Sequence, residues 1–359
     1  MAGVVFPIAD WFRRNLSDPQ VVLLTVLLGI GLLVIVYLGD MLAPVLASVV
    51  IAYLLEGLVG LLERRGWPRL AAVLLVFLVF LVGVVLLSFG ILPLVSRQVS
   101  ELVAQFPSMI AKGQQVLMKL PEEYPDLVSP AQVQEVFNAL RLGIADLGQR
   151  ILSVSVASVV GLITAGIYLV LMPLLVFFFL KDKVLIIDWF SQFLPQDRTF
   201  PKQVWGDVDR QISNYVHGKF GEVVIVWAAC LVTFNAFGLQ YAMLLSVLVG
   251  LSVIVPYIGA VVVTIPVMAI AWFQWGWSPD FVWLTVAYLV IQVLDGNVLV
   301  PLLFSEAVNI HPVAIIVAIL VFGGIWGFWG VFFAIPLATL VRAVLSAWPR
   351  PTAGTPPAA

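Results

Sequence analysis

Long apolar runs separated by short polar punctuation dominate this chain. A helix that crosses bilayer hydrocarbon needs about 20 mainly apolar residues. Val21 to Leu38 is the first such run, closed by Gly39 and Asp40. Ala43 to Leu62 is the second and contains Glu56. Glu63 to Arg69 is a tight polar loop, and Leu70 to Leu92 is a third run, ended by Pro93.

The pattern then changes. Val95, Val99, Leu102, Val103, Phe106, Met109 and Ile110 recur at helical spacing, which predicts an amphipathic helix. Leu120 to Asp126 breaks it. Ser129-Pro130-Ala131-Gln132 has the residues of a capped helix start: serine as cap, proline at the first helical position, glutamine reaching back. Val133, Val136, Phe137 and Leu140 give that second helix one apolar face. Such a face says only that something covers it: a lid, an oligomer contact, the membrane surface or the helix's own domain.

Val154 to Leu180 is the next run. Val184 to Leu194 is apolar but short, and Trp189, Phe190 and Phe193 suit an interfacial helix. Val204 to Phe220 reads as amphipathic and Val223 to Leu239 as a span. Tyr241 to Trp272 is too long for one simple span and is interrupted at Pro256. It is either one kinked helix or two half-helices forming a re-entrant hairpin. Phe281 to Phe304 is a further span. Pro312 to Leu345 repeats the interrupted pattern, with Gly323, Gly324, Gly327 and Gly330 in its middle.

The expected fold is an all-α polytopic membrane protein. Its parts are N-terminal membrane helices over 1–93, an extracytoplasmic amphipathic insertion over 94–153, a membrane helix over 154–180, cytoplasmic or interfacial helices over 181–222, a C-terminal membrane region with broken helices over 223–348, and a disordered tail over 349–359. Composition agrees. Mean hydropathy is +1.10, and 11% of residues are charged, against about 25% in soluble domains. No basic patch points to nucleic acid. No signal-peptide pattern precedes the first run, so that span is expected to be retained. The single cysteine, Cys230, excludes a disulfide framework within the chain. Lys and Arg cluster before the first span, at 64–69, at 181–219 and after 341, which puts both termini in the cytoplasm.

The chemistry concentrates between Val249 and Pro312. Proline and glycine free backbone groups that lipid cannot satisfy. An acid at membrane depth costs roughly 2.5–3.5 kcal/mol. Asp295, Gly296 and Asn297 combine a helix interruption with side-chain oxygens, a set suited to a cation or a hydroxylated solute. The plainer reading is a satisfied structural break. Gln292 lies one turn before Asp295 on the same face, and Pro301 follows. Pro256, Tyr257 and Gly259 form either a turn between half-helices or a kink. Glu56 and His311 are possible ion-coupling residues. Glu56 can equally snorkel or pair with Arg64 or Arg65, and His311 can be an ordinary turn residue. No HExxH, GxSxG or Walker A sequence occurs, so neither an enzyme, a cofactor, a metal site nor an ATP-driven pump is expected.

Several ordered motifs carry a resemblance. They are Tyr215-Val-His-Gly218-Lys, Val255-Pro-Tyr-Ile-Gly-Ala260, Gln292-Val-Leu-Asp-Gly-Asn297, Val308-Asn-Ile-His-Pro312, the Phe322 to Gly330 glycine-aromatic run and Ala334-Ile-Pro336, with Leu42-Ala-Pro44 and Ala52-Tyr-Leu-Leu-Glu56 near the start. Together they resemble the AI-2E transporter family, most closely its PerM branch of permeases. The resemblance implies a bacterial inner-membrane protein, a homo-oligomer with roughly eight spans, that moves a small polar solute such as the furanone autoinducer-2 across that membrane. Some members of that family resemble sodium/proton antiporters, which keeps a cation/proton exchanger open. A non-transporting membrane scaffold is the alternative from another class.

Overall fold

A computed structural model of the chain describes residues 19–118, 159–192, 199–256, 258–304 and 311–347, with scattered residues between 129 and 143. Every regular element among them is helical. In chain order these are α1 (Pro19–Arg64), α2 (Arg69–Leu86), a π-turn π1 (Leu87–Ile91), α3 (Leu92–Leu117), α4 (Val159–Lys181), α5 (Lys183–Ser191), α6 (Thr199–Ala236), α7 (Ala242–Ser252), α8 (Ile258–Trp275), α9 (Pro279–Leu294), a second π-turn π2 (Asp295–Leu299), α10 (Val300–Phe304), α11 (Pro312–Phe332) and α12 (Ala334–Ala347).

Five helical stretches are long and apolar enough to cross a membrane: Met41–Arg64, Arg69–Leu117, Ile212–Ala236, Ile258–Trp275 and Pro279–Leu303. The chain is therefore an all-α polytopic membrane protein, but the expected roughly eight spans are not reached among the described residues. Gly166–Lys181, Ala242–Ser252 and Val313–Gly327 are apolar yet shorter. The reasons are local. Gly39 and Asp40 do not end a helix, because α1 runs unbroken for 46 residues through both of the first two apolar runs. Pro256 divides the 241–272 run into an 11-residue α7 and an 18-residue α8. Gly327, at φ 57 and ψ −135, reverses the chain inside the last run.

Pro93 does not end the third run either. A proline inside a helix lacks an N–H and crowds the carbonyl four residues back. Here the turn just before it widens into π1, where the Leu92 amide reaches the Leu87 carbonyl, and helix continues to Leu117. The same device recurs at the other end of the sequence: π2 stops two residues before Pro301, and the Val300 amide reaches the Asp295 carbonyl.

The chain divides into two compact units. One comprises Met1–Val73, Leu174–Lys219 and Leu302–Ala359; the other comprises Leu74–Pro173 and Phe220–Pro301. In the first, Tyr215 and Val216 of α6 pack with Ile315, Ala318 and Ile319 of α11 and Ala334 and Ile335 of α12. The Tyr215 hydroxyl donates to the Phe332 carbonyl at 3.2 Å. Helix α11 doubles back at Gly327, so that a Cβ on Gly330 would run into the Phe322 carbonyl, and α12 packs against it.

In the second unit, α6, α7, α8 and α9 share one core around Cys230, Phe234, Leu245, Val249, Val267, Leu284 and Tyr288, each at 0% exposure. Val95, Val99, Leu102 and Met109 of α3 pack against it. The Gln98 side chain accepts from the Leu244 amide at 2.8 Å, satisfying a donor in the first turn of α7. Ile110 packs with Val133 and Phe137. The apolar face of the amphipathic insertion is thus covered, in its described part, by its own unit. The proposed cap at Ser129 to Gln132 and the 349–359 tail lie outside the described residues, Ser129 and Ala131 apart.

Candidate functional site

Helices α8 and α9 run antiparallel, joined by Gly276 at φ 61 and the Ser278 cap, whose side chain accepts from the Phe281 amide at 3.3 Å. Two contacts fix their register. Thr264 Oγ1 meets Tyr288 OH at 2.9 Å, and Thr285 Oγ1 lies 3.4 Å from the Met268 sulfur. Continuing that register at 1.5 Å per residue brings the start of α8 level with the end of α9. The Pro256–Gly259 turn therefore stands at the depth of Asp295–Asn297.

The turn itself is tight. The Val255 amide donates to the Ser252 carbonyl at 3.1 Å, the Ile258 amide to the Pro256 carbonyl at 2.7 Å and the Gly259 amide to the Val255 carbonyl at 3.0 Å. Only glycine fits at 259, because a Cβ there would collide with the Ser252 carbonyl. Helices α7 and α8 are two packed helices joined by this turn, which settles the kinked-helix alternative in favour of a helical hairpin. Tyr257 lies outside the described residues.

On α9, polar residues line one face. Thr285, Tyr288, Gln292 and Asp295 recur at spacings of three, four and three, the period of a single helix face. That face is inward, since Leu284 and Tyr288 are wholly buried beside it. Thr285 donates to the Phe281 carbonyl at 2.7 Å. Thr264 donates its one proton to the Ala260 carbonyl at 2.7 Å, so the Tyr288 hydroxyl donates to Thr264. The Gln292 amide nitrogen is shielded from solvent with no hydrogen-bond partner among the described residues, and Asp295 Oδ1 is also shielded from solvent. The Asp295 carboxylate is within electrostatic reach of the buried Cys230 thiol.

Gly296 does not break the helix. It sits in π2, with nothing within 4 Å of where a Cβ would be. A π-turn carries one extra residue and shifts the bonding to i→i+5, and Pro301 brings no amide to the turn before it, so a backbone oxygen is freed here without a gap. The Asn297 amide donates to the Val293 carbonyl at 2.9 Å, on its own helix. Pro301 is exposed in α10.

Glu56 and His311 belong to the other unit. Glu56 does not pair with Arg64 or Arg65. Its Oε1 takes Arg69 at 3.4 Å and Lys183 at 3.1 Å. Arg69 also holds Glu63 at 3.3 Å and donates to the Leu180 carbonyl at 2.9 Å, which caps the C-terminal end of α4. His311 is the N-cap of α11, its Nδ1 accepting from the Val313 amide at 3.3 Å.

Sequence reasoning passed over Thr264, Thr285, Tyr288, Cys230 and the buried acid Glu222, which is 3% exposed. The spacing from Thr285 to Asp295 was a signal for two of them. Thr264 and Cys230 needed tertiary register, which a single sequence does not display.

The sequence profile described as AI-2E family transporter matches residues 8–350. PerM of Escherichia coli (strain K12), a permease by name, is 45% identical over 340 residues, covering 95% of this chain and 96% of that protein. YueF of Bacillus subtilis (strain 168), named as a transport protein, is 25% identical over 319 residues, covering 86% and 84%. A protein of Thermotoga maritima, also named as a transport protein, is 23% identical over 345 residues, covering 95% and 98%.

Proposed function

The chain belongs to the AI-2E transporter family, and from that premise we propose that it is a secondary permease moving a small polar solute, of the autoinducer-2 kind, across the bacterial inner membrane by alternating access. In this reading both termini are cytoplasmic and the protein works as a homo-oligomer. Asp295, Gln292 and Asn297 bind the solute together with a backbone oxygen freed in the turn of Gly296, ahead of Pro301, and the Pro256–Gly259 turn closes the other side.

One observation carries the reading. A line of polar side chains ending in an acid runs along α9 into a π-turn, level with a proline-glycine turn, in a unit whose core is apolar. Intramembrane acids are expensive and face cavities or partners. π-Turns concentrate at functional positions.

Purified protein in proteoliposomes, loaded with labelled autoinducer-2, tests this. Asp295→Asn is expected to cut flux at least tenfold while the protein elutes and inserts as the parent does. Unchanged flux removes Asp295 from the mechanism. The same solvent-shielded acid supports a second reading, exchange of a cation for a proton. Flux that follows an imposed pH or sodium gradient, and vanishes in Asp295→Asn, selects it.

A further inference from the structure

The end of α1 and the start of α2 turn at Arg65–Pro68, where two membrane spans meet, Met41–Arg64 and Arg69–Leu117. Helix α4 ends beside them, held by the Arg69 bond to Leu180. Charges gather here: Arg64, Arg65, Arg69, Lys181 and Lys183 against Glu56, Glu63 and Asp182. The acids are already engaged. Glu56 holds Arg69 and Lys183, Glu63 holds Arg69, and Asp182 lies 3.8 Å from Lys181.

Arg64 and Arg65 are left over. Both are exposed and neither has an ion pair among the described residues. They sit at the headgroup end of a lipid-facing surface. Leu58 and Leu61, 52% and 50% exposed, lie on the face of α1 that leads to Arg65, with Leu70 at 55% and Trp67 at 46% beside them. Tryptophan at this depth prefers the water–lipid boundary.

We propose that Arg64 and Arg65 bind the phosphate of an acidic phospholipid, phosphatidylglycerol or cardiolipin, whose acyl chains lie along Leu58, Leu61 and Leu70 with Trp67 at the level of the headgroup. Two uncompensated guanidiniums match an anionic phosphate in charge and in hydrogen-bond geometry. The neighbouring ion pairs reserve them for it by occupying Glu56, Glu63 and Asp182. The proposal does not depend on what the protein transports.

The test is native mass spectrometry of the delipidated full chain, titrated with phosphatidylglycerol, with phosphatidylcholine and with inorganic phosphate. Phosphatidylglycerol is expected to bind most tightly. The R64Q/R65Q double variant should weaken it roughly 30-fold, about fivefold for each arginine, while R64K/R65K retains most of the affinity. Equal affinity for the two lipids, no change in R64Q/R65Q, or inorganic phosphate binding as tightly as the lipid would overturn the proposal. Should R64Q/R65Q not fold, the headgroup comparison on the parent protein and on R64K/R65K still decides it.

Discussion

The hydroxyls of Thr264 and Tyr288 meet at 2.9 Å across the α8–α9 interface, in a core from which Tyr288 has no exposed surface. The proton arrangement makes this pair asymmetric. Thr264 donates to the Ala260 carbonyl and accepts from Tyr288. Tyr288→Phe loses one bond and strands nothing, at a cost of about 1 kcal/mol. Thr264→Val strands the tyrosine hydroxyl in the core and is expected to cost about 1–3 kcal/mol. Thermal unfolding in detergent should therefore rank Thr264→Val below Tyr288→Phe. The reverse order would mean that the proton runs the other way.

Two glycines in one unit are predicted to behave oppositely. A methyl at 259 meets the Ser252 carbonyl, which is backbone and cannot step aside without opening the α7–α8 turn. Gly259→Ala is expected to lose roughly 1–3 kcal/mol or more and to reduce yield of folded protein. Gly296→Ala meets nothing and should fold normally. Size-exclusion profiles of the two variants check this directly, and any flux defect in Gly296→Ala then reports on π2 rather than on misfolding.

Arg69 ties its own helix to two others, to α1 through Glu56 and Glu63 and to α4 through the Leu180 carbonyl. The pairs are partly exposed, with side chains at 34%, 21% and 31%, so each contributes at most about 1 kcal/mol. Arg69→Ala is expected to destabilise by about 1–2 kcal/mol in total. Glu56→Gln should cost less, because Arg69 keeps its other partners. Raising salt should narrow the gap between parent and Arg69→Ala, a comparison that unfolding curves at two ionic strengths supply.

Tyr241 is the only described non-glycine residue at positive φ, 58. Its hydroxyl is buried with no partner among the described residues. Burial first, and then the Glu101 carboxylate, push its phenol above the ordinary value of 10.0. A raised acid favours the proton-bound form in the folded state. The associated stability is therefore fully present below pH 10.0 and is lost as pH rises through the folded value. Tyr241→Phe should be neutral or slightly stabilising near pH 7 and should fall off less steeply above pH 10. Unfolding midpoints of both proteins between pH 8 and pH 11 give the comparison.

Much of this was legible in the residues, and the exceptions have physical causes. Pro256 with Gly259, and the glycines from Gly323 to Gly330, were readable as interruptions because proline removes a donor and glycine tolerates close or left-handed backbone, but turn and kink could not be told apart there. Gly39 with Asp40, and Pro93, looked like the same punctuation and were not. The helix α1 simply continues through the first pair, and a widened turn carries the third run past Pro93. Pairing of Glu56 with Arg64 or Arg65 was one of the options open in the residues, and the partners are instead Arg69 and Lys183. Arg64 ends the same helix as Glu56 and Arg65 opens the turn beyond it, whereas Arg69 begins the next helix and reaches back to Glu56. The polar face of α9 was half visible, since Gln292 and Asp295 were linked but Thr285 and Tyr288 resembled ordinary residues of an apolar span.

The paired π-turns have a consequence for how this protein tolerates length changes. Each holds a surplus residue that an uninterrupted α-helix would not need, at Leu87–Ile91 and Asp295–Leu299. Removing one amino acid from a helix ordinarily swings everything beyond it by about 100°. Excising one residue from either of these turns, with the following proline replaced, would instead let the ladder close with both flanks still in phase. Such a shortened protein would keep its packing and lose only the widened turn, separating architecture from activity in a way that no side-chain exchange can.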